Sequence, residues 1–178
     1  MHKKLRFITE TAVMLALLVA LQALTKPMGQ LVTGSCVNAV LAVTVLVAGI
    51  YSGITVAFFS PALAYLLGIA PQILTVPAIM VGNAVFVMAL HFIAGKQILQ
   101  QIAAWLVAAG AKFAALYAIV VWLICGVFSE KLLSSGMLKA PMLKALPVSF
   151  GITQLFTALI GGAVALLIVP ILRKALRK

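Results

Sequence analysis

The sequence predicts an all-α membrane protein, and three observations carry that reading. The chain has 178 residues, of which 65% are hydrophobic and 8% charged, with a mean hydropathy of +1.27; soluble domains carry about 25% charged residues. Its apolar residues come in long runs, not in the alternating pattern of a membrane barrel, and only helices or closed barrels satisfy every backbone group in lipid. Polar breaks divide those runs into six, so six transmembrane helices are expected in one domain, residues 1–178.

The first run follows a basic head, MHKKLR. It is long for the core of a signal peptide and meets no small-x-small cleavage site before Lys26 and Pro27, so residues 7–24 are expected to stay as the first helix. The segment KPMGQLVTGS, Lys26 to Ser35, combines Pro, two Gly and several polar residues and reads as an ordered loop. A second helix is expected at about 35–49. Tyr51-Ser52-Gly53 then reads as a tight turn into a third, about 54–67, kinked by Pro61. Both are short for a crossing, which takes about 20 residues, and are expected to be shielded by neighbouring helices.

The loop Gly68 to Thr75, with Pro71 and Gln72, leads into a fourth helix at 76–94, where Pro77 sits in the first turn and its missing N–H does no harm. Gly95-Lys96-Gln97 turns the chain into a fifth helix, 99–128. Ser129 to Pro147 is the longest polar connection, with Glu130, three lysines and two prolines, and a sixth helix spans 148–172.

The net charge of +11 falls mainly at chain ends and in loops, and no nucleic-acid-binding motif accompanies it. With six crossings both termini share a side. That side collects Lys3, Lys4, Arg6, Lys96, Arg173, Lys174, Arg177 and Lys178, against Lys26, Lys131, Lys139 and Lys144 on the other. The bias places both termini in the cytoplasm and the protein in the cell membrane. Cys36 and Cys125 lie in or at the ends of apolar runs, where buried free thiols are expected. Neither has metal-ligand spacing, so no metal is expected.

Lys112 sits near the middle of an apolar run, Ile102 to Phe128. An ammonium in hydrocarbon costs at least ~2.5 kcal/mol, and a side chain reaching about 6 Å cannot snorkel ~15 Å to the interface. Asn83 lies about 12 Å below the outer end of its helix, Gln154 about 10 Å and Asn38 about 5 Å below theirs. Four helices thus place a polar group between the midplane and the outer surface, with Gln30, Thr33 and Ser35 of the first loop above them. Thr157 and Gly161 share a face with Gln154 and leave room beside it. Such amides can also serve only as interhelical glue.

The acids narrow the chemistry. Only Glu10 and Glu130 exist, neither at the depth of Lys112, so its counter-charge is expected to come from a ligand. The shortage of carboxylates argues against an ion-coupled carrier. No HExxH, GxSxG or paired carboxylate points to an enzyme, and His91 stands alone. Ala12, Ala16 and Ala20 form a smooth stripe on the first helix, the kind that lets helices approach closely in lipid.

Six spans in under 200 residues, the ordered loop after the first, the alanine stripe, and the runs ITETAVMLALLVALQ, GQLVTGSCVNAVLAV and VPAIMVGNAVF together resemble the substrate-binding S components of energy-coupling factor (ECF) vitamin transporters. The resemblance covers the whole chain. It implies an outward-facing vitamin site built from the first outer loop and the fourth to sixth helices, with candidate roles for Gln30, Thr33, Asn83, Lys112 and Gln154. It implies that Ala12, Ala16 and Ala20 dock onto a transmembrane coupling subunit. ATP would be bound by two partner subunits, with no cofactor in this chain, and the S component would topple in the membrane to release substrate inward. A lysine among amides and hydroxyls suits a small carboxylate-bearing vitamin, pantothenate first and nicotinate next. A neutral pyrimidine or pyridoxine-like precursor stays open, as do a membrane scaffold and a standalone carrier.

Overall fold

The computed structural model describes residues 2–69, 72–95 and 97–176, and these form helices and short connections without a strand. The helices are α1 His2–Thr25, α2 Gln30–Ala48, α3 Ile50–Leu66, α4 Val76–Ile93, α5 Ile98–Leu116, α6 Ser129–Ser134, α7 Ala140–Phe150 and α8 Ile152–Ala175. A π-helical stretch, Tyr117–Val127, continues α5. Among the described residues five helical segments are long and apolar enough to cross a membrane: 3–28, 30–48, 73–93, 98–127 and 140–175. α3 is apolar but has 17 residues, about 25 Å at 1.5 Å per residue.

Three expected boundaries move. The loop from Lys26 to Ser35 shrinks to a single 3₁₀ turn, Lys26–Met28, and Gly29; α2 already begins at Gln30. The turn expected at Tyr51-Ser52-Gly53 is instead Gly49, and those three residues form the first turn of α3, which continues through Pro61. Gly29 and Gly49 have φ of 89° and 92°, a region in which a side chain would clash with its own backbone. The polar connection up to Pro147 is largely helical: α6 and α7 occupy it, Pro147 lies inside α7, and the break before the last helix is Gly151. Polar residues misled the boundary assignment because a helix lining a cavity carries them in its interior. Pro77 does sit in the first turn of α4. Pro71, Lys96, Arg177 and Lys178, used above for a loop, a turn and the charge bias, lie outside the described residues.

α2 is the axis of the bundle, buried along Val37, Asn38, Val40, Leu41 and Thr44. Its face packs with Leu18 of α1, Val56 of α3, Phe86 and Val87 of α4, Ala108 of α5 and Ala165 of α8 in one apolar core. α2 and α8 run parallel in close contact. At Gly161 an added Cβ would strike the Ser35 carbonyl, the Asn38 side chain and the Ala39 amide, and at Gly34 it would strike Thr157. The room expected beside Gly161 is therefore filled by the α2 backbone. At one end of the pair Arg173 donates to the Leu46 carbonyl at 2.7 Å, satisfying a group that the end of a helix leaves open.

At the other end, Lys26 donates to the Gly68 carbonyl at 2.6 Å and ties α1 to the end of α3. A second apolar cluster forms there, joining Ala78 of α4, Leu116, Val120 and Ile124 along α5 and its π continuation, and Leu138, Leu146 and Phe150 of the α7 segment. Between the two clusters lies a cavity.

Candidate binding site

The cavity has a volume of about 370 Å³, within the range of about 300–1,000 Å³ usual for small-ligand sites. Its floor is Lys112, projecting from α5 and only 2% exposed. The ammonium donates to Asn38 Oδ1 of α2 at 2.6 Å and to Asn83 Oδ1 of α4 at 2.7 Å. It also lies 5.6 Å from the centroid of the Phe86 ring, close enough for a cation–π contact.

Because an ammonium has no acceptor, both asparagines must turn their carbonyl oxygens toward it, and this fixes the rest of the network. Asn38 Nδ2 then faces α8 and donates to the Gly34 carbonyl at 2.9 Å and to Thr157 Oγ1 at 3.2 Å. Thr157 in turn donates to the Gln154 carbonyl at 3.0 Å. Each donor meets an acceptor along this chain, from α5 through α2 to α8, so the geometry of Lys112 is set by three helices. On Asn83 the outcome differs. Its Nδ2 is buried with no partner among the described residues.

Among the described residues no carboxylate is paired with Lys112. The one ion pair among the described residues joins Arg6 and Glu10 at 2.9 Å on the outside of α1, and Glu130 is exposed on α6. Two amide oxygens solvate the ammonium but do not neutralise it. A cation taken out of water costs several kcal/mol unless it is paired, so an anion entering the cavity would gain a charge-assisted hydrogen bond that water no longer contests.

The walls are mainly apolar, with Val37, Ile79, Met142, Leu146 and Phe150 among the lining residues, and the polar groups converge from six helices and the connection before α4. Gln22 of α1, Gln30 and Thr33 of α2, Gln72 and Thr75 before and at the start of α4, Ser149 of α7 and Gln154 of α8 all line it. α7 supplies one whole side, from Met142 to Phe150.

Comparison with protein-family models, curated proteins and solved structures gives no match. The site must therefore be read from its own geometry.

Of the seven residues expected at a ligand site, Lys112, Asn83, Asn38, Gln154, Gln30 and Thr33 line this one cavity. Thr157 lies behind it, fully buried, and acts through Asn38. Two depths change. With α2 starting at Gln30, Asn38 lies about 12 Å down its helix instead of about 5 Å, which brings it level with Lys112. With α8 starting at Ile152, Gln154 is only about 3 Å in, near the mouth, where its amide bonds the Ser149 carbonyl at 3.0 Å. Gln22, Gln72, Ser149 and Phe150 went unforeseen as site residues. The polarity of the first three was visible in the sequence, but only the fold shows that all four surround one space. Ala12, Ala16 and Ala20 are exposed on α1, and none of them packs inside the bundle. Among the described residues no group of three or more His, Cys, Asp or Glu side chains is placed to hold a metal ion.

Proposed function

We propose that the protein is the substrate-binding subunit of an ATP-driven importer, of the kind the sequence resembles, and that it captures a small carboxylate-bearing vitamin. The observation that carries this reading is Lys112, buried at the floor of a ligand-sized cavity, held by two amide oxygens and paired with no anion among the described residues. The ligand carboxylate pairs with the ammonium and takes the open Nδ2–H of Asn83. Pantothenate is the first choice and nicotinate the second.

Six crossings, with α3 embedded among its neighbours, put both termini on the cytoplasmic side and the cavity mouth outside. The chain carries no nucleotide-binding motif, so ATP hydrolysis falls to two partner subunits. The exposed alanine stripe of α1, flanked by the exposed Val13 and Leu17, offers a flat surface to a transmembrane coupling subunit. Substrate release then follows from toppling of the whole bundle.

Native mass spectrometry of the purified protein, expected to show a co-purified small acid, tests the capture step. Titration of the unloaded protein measures its affinity, and Lys112→Ala is expected to lower it by about a hundredfold or more, the loss of a desolvated charge-assisted contact. Unchanged affinity in that variant would refute the ion pair. Transport by the protein alone in vesicles, without ATP, would refute the subunit role.

A further inference from the structure

We infer that the site reads its ligand from two ends: a carboxylate at the Lys112 floor and hydrogen-bond donors, hydroxyl or amide N–H, near the mouth, where Gln22 and Gln72 present carbonyl oxygens. The inference rests on the carboxylate reading above and adds a requirement that the reading does not contain. Both oxygens are buried and without a partner among the described residues, and both residues line the cavity. For Gln72 the orientation is fixed: its Nε2 donates to the Met142 sulfur, which can only accept, so the carbonyl is the free end.

The inventory of open groups is therefore sorted by depth. At the floor are donors only: the third ammonium N–H of Lys112, unused among the described residues, and the Nδ2–H of Asn83, a residue 1% exposed. Near the mouth the buried open atoms are acceptors, Gln22 Oε1 and Gln72 Oε1, beside the exposed Gln30 amide, which can donate or accept. Gln22 is three residues from the end of α1 and Gln72 precedes α4, whereas Asn83 lies about 10 Å down α4 from Val76. A carboxylate satisfies the floor and would be repelled at the mouth; a hydroxyl or amide N–H satisfies the mouth. Apolar Val37, Ile79, Met142 and Phe150 lie among the walls and favour an aliphatic body between the ends. A buried acceptor left without a donor costs about 1–3 kcal/mol, so the mouth discriminates against acids that lack one. The class selected is a hydroxy- or amido-carboxylic acid roughly 6–10 Å long, entering donor-end last.

The test is equilibrium binding to the purified full-length protein with three probes. Pantothenate carries both ends, nicotinate the carboxylate alone, and panthenol the donors alone. Pantothenate is expected to bind at least tenfold more tightly than either of the others. Gln22→Leu and Gln72→Leu are each expected to weaken pantothenate by about three- to tenfold, the range of one hydrogen bond, and to tighten nicotinate, which no longer strands a buried acceptor; opposite shifts for the two acids separate lost recognition from lost folding. Nicotinate binding as tightly as pantothenate while Lys112→Ala abolishes both would overturn the two-ended site and leave the carboxylate reading standing. Panthenol binding as tightly as pantothenate, or no acid binding at all, would overturn the carboxylate reading and this inference with it.

Discussion

At the scale of single residues, the site is a lysine whose surroundings are specified by chemistry that allows one solution. Lys112 can only donate, so Asn38 and Asn83 must both accept, and the two asparagines then differ because α8 lies behind one and the cavity beside the other. Thr157 is a positioning residue for Asn38. Thr157→Val keeps the shape, leaves Asn38 with the Gly34 carbonyl alone, and is expected to weaken carboxylate binding by about three- to tenfold through a looser Lys112; the check is that neutral probes bind the variant and the parent alike. Lys112 and Asn83 were legible from the sequence because a charge and an amide inside apolar runs are costly anywhere along them. Asn38 was legible as polar but misplaced in depth, since the residues that set its depth, Gly29 and Gln30, sat in a stretch whose composition reads as loop. Gln22 carried no signal: a glutamine near the end of a membrane helix is ordinary, and only the packing of α1 against α2 turns it inward.

At the scale of elements, the bundle depends on how closely α2 and α8 approach. Small residues permit that contact, and in lipid such contacts, not apolarity, hold helices together. Gly161→Leu drives a side chain into the Ser35 carbonyl and the Ala39 amide, and is expected to abolish monodisperse, folded protein on gel filtration. Gly110→Ala on α5 meets nothing within 4 Å and is expected to keep the melting temperature of the parent or raise it. The π-helical stretch beyond Leu116 was not legible, because its run of Ile, Val, Trp and Leu satisfies the helical period equally well in either winding. The break at Gly151 was hidden for the opposite reason: Pro147, four residues earlier, was the stronger local signal.

At the scale of the whole molecule, the cavity and the alanine stripe are separate. The cavity draws on α1 only at Gln22, near its end, while Ala12, Ala16 and Ala20 face outward along its length. If the protein works as proposed, binding and docking are separable by mutation. Ala16→Trp is expected to leave ligand affinity in the purified protein within about twofold and to abolish uptake by cells carrying the ATPase and coupling subunits. Equal loss of both would place the stripe inside the fold. The all-α class followed from composition and run length alone, since a backbone in lipid has so few alternatives; of the six crossings expected, five segments have the length and apolarity for one, and α3 is shorter.

The order of Lys112 and its partners along the chain has a consequence for how the protein is made. Asn38 and Asn83 both precede Lys112, whereas Thr157 and the rest of α8 follow it. When α5 leaves the insertion machinery, the two oxygens that solvate its ammonium are already in the bilayer, so the expensive residue enters with its hydrogen bonds available. The last helix then arrives to lock Asn38 in place and complete the cavity. A chain interrupted before α8 can therefore shelter its buried charge during synthesis, but it has no finished pocket until α8 is in place.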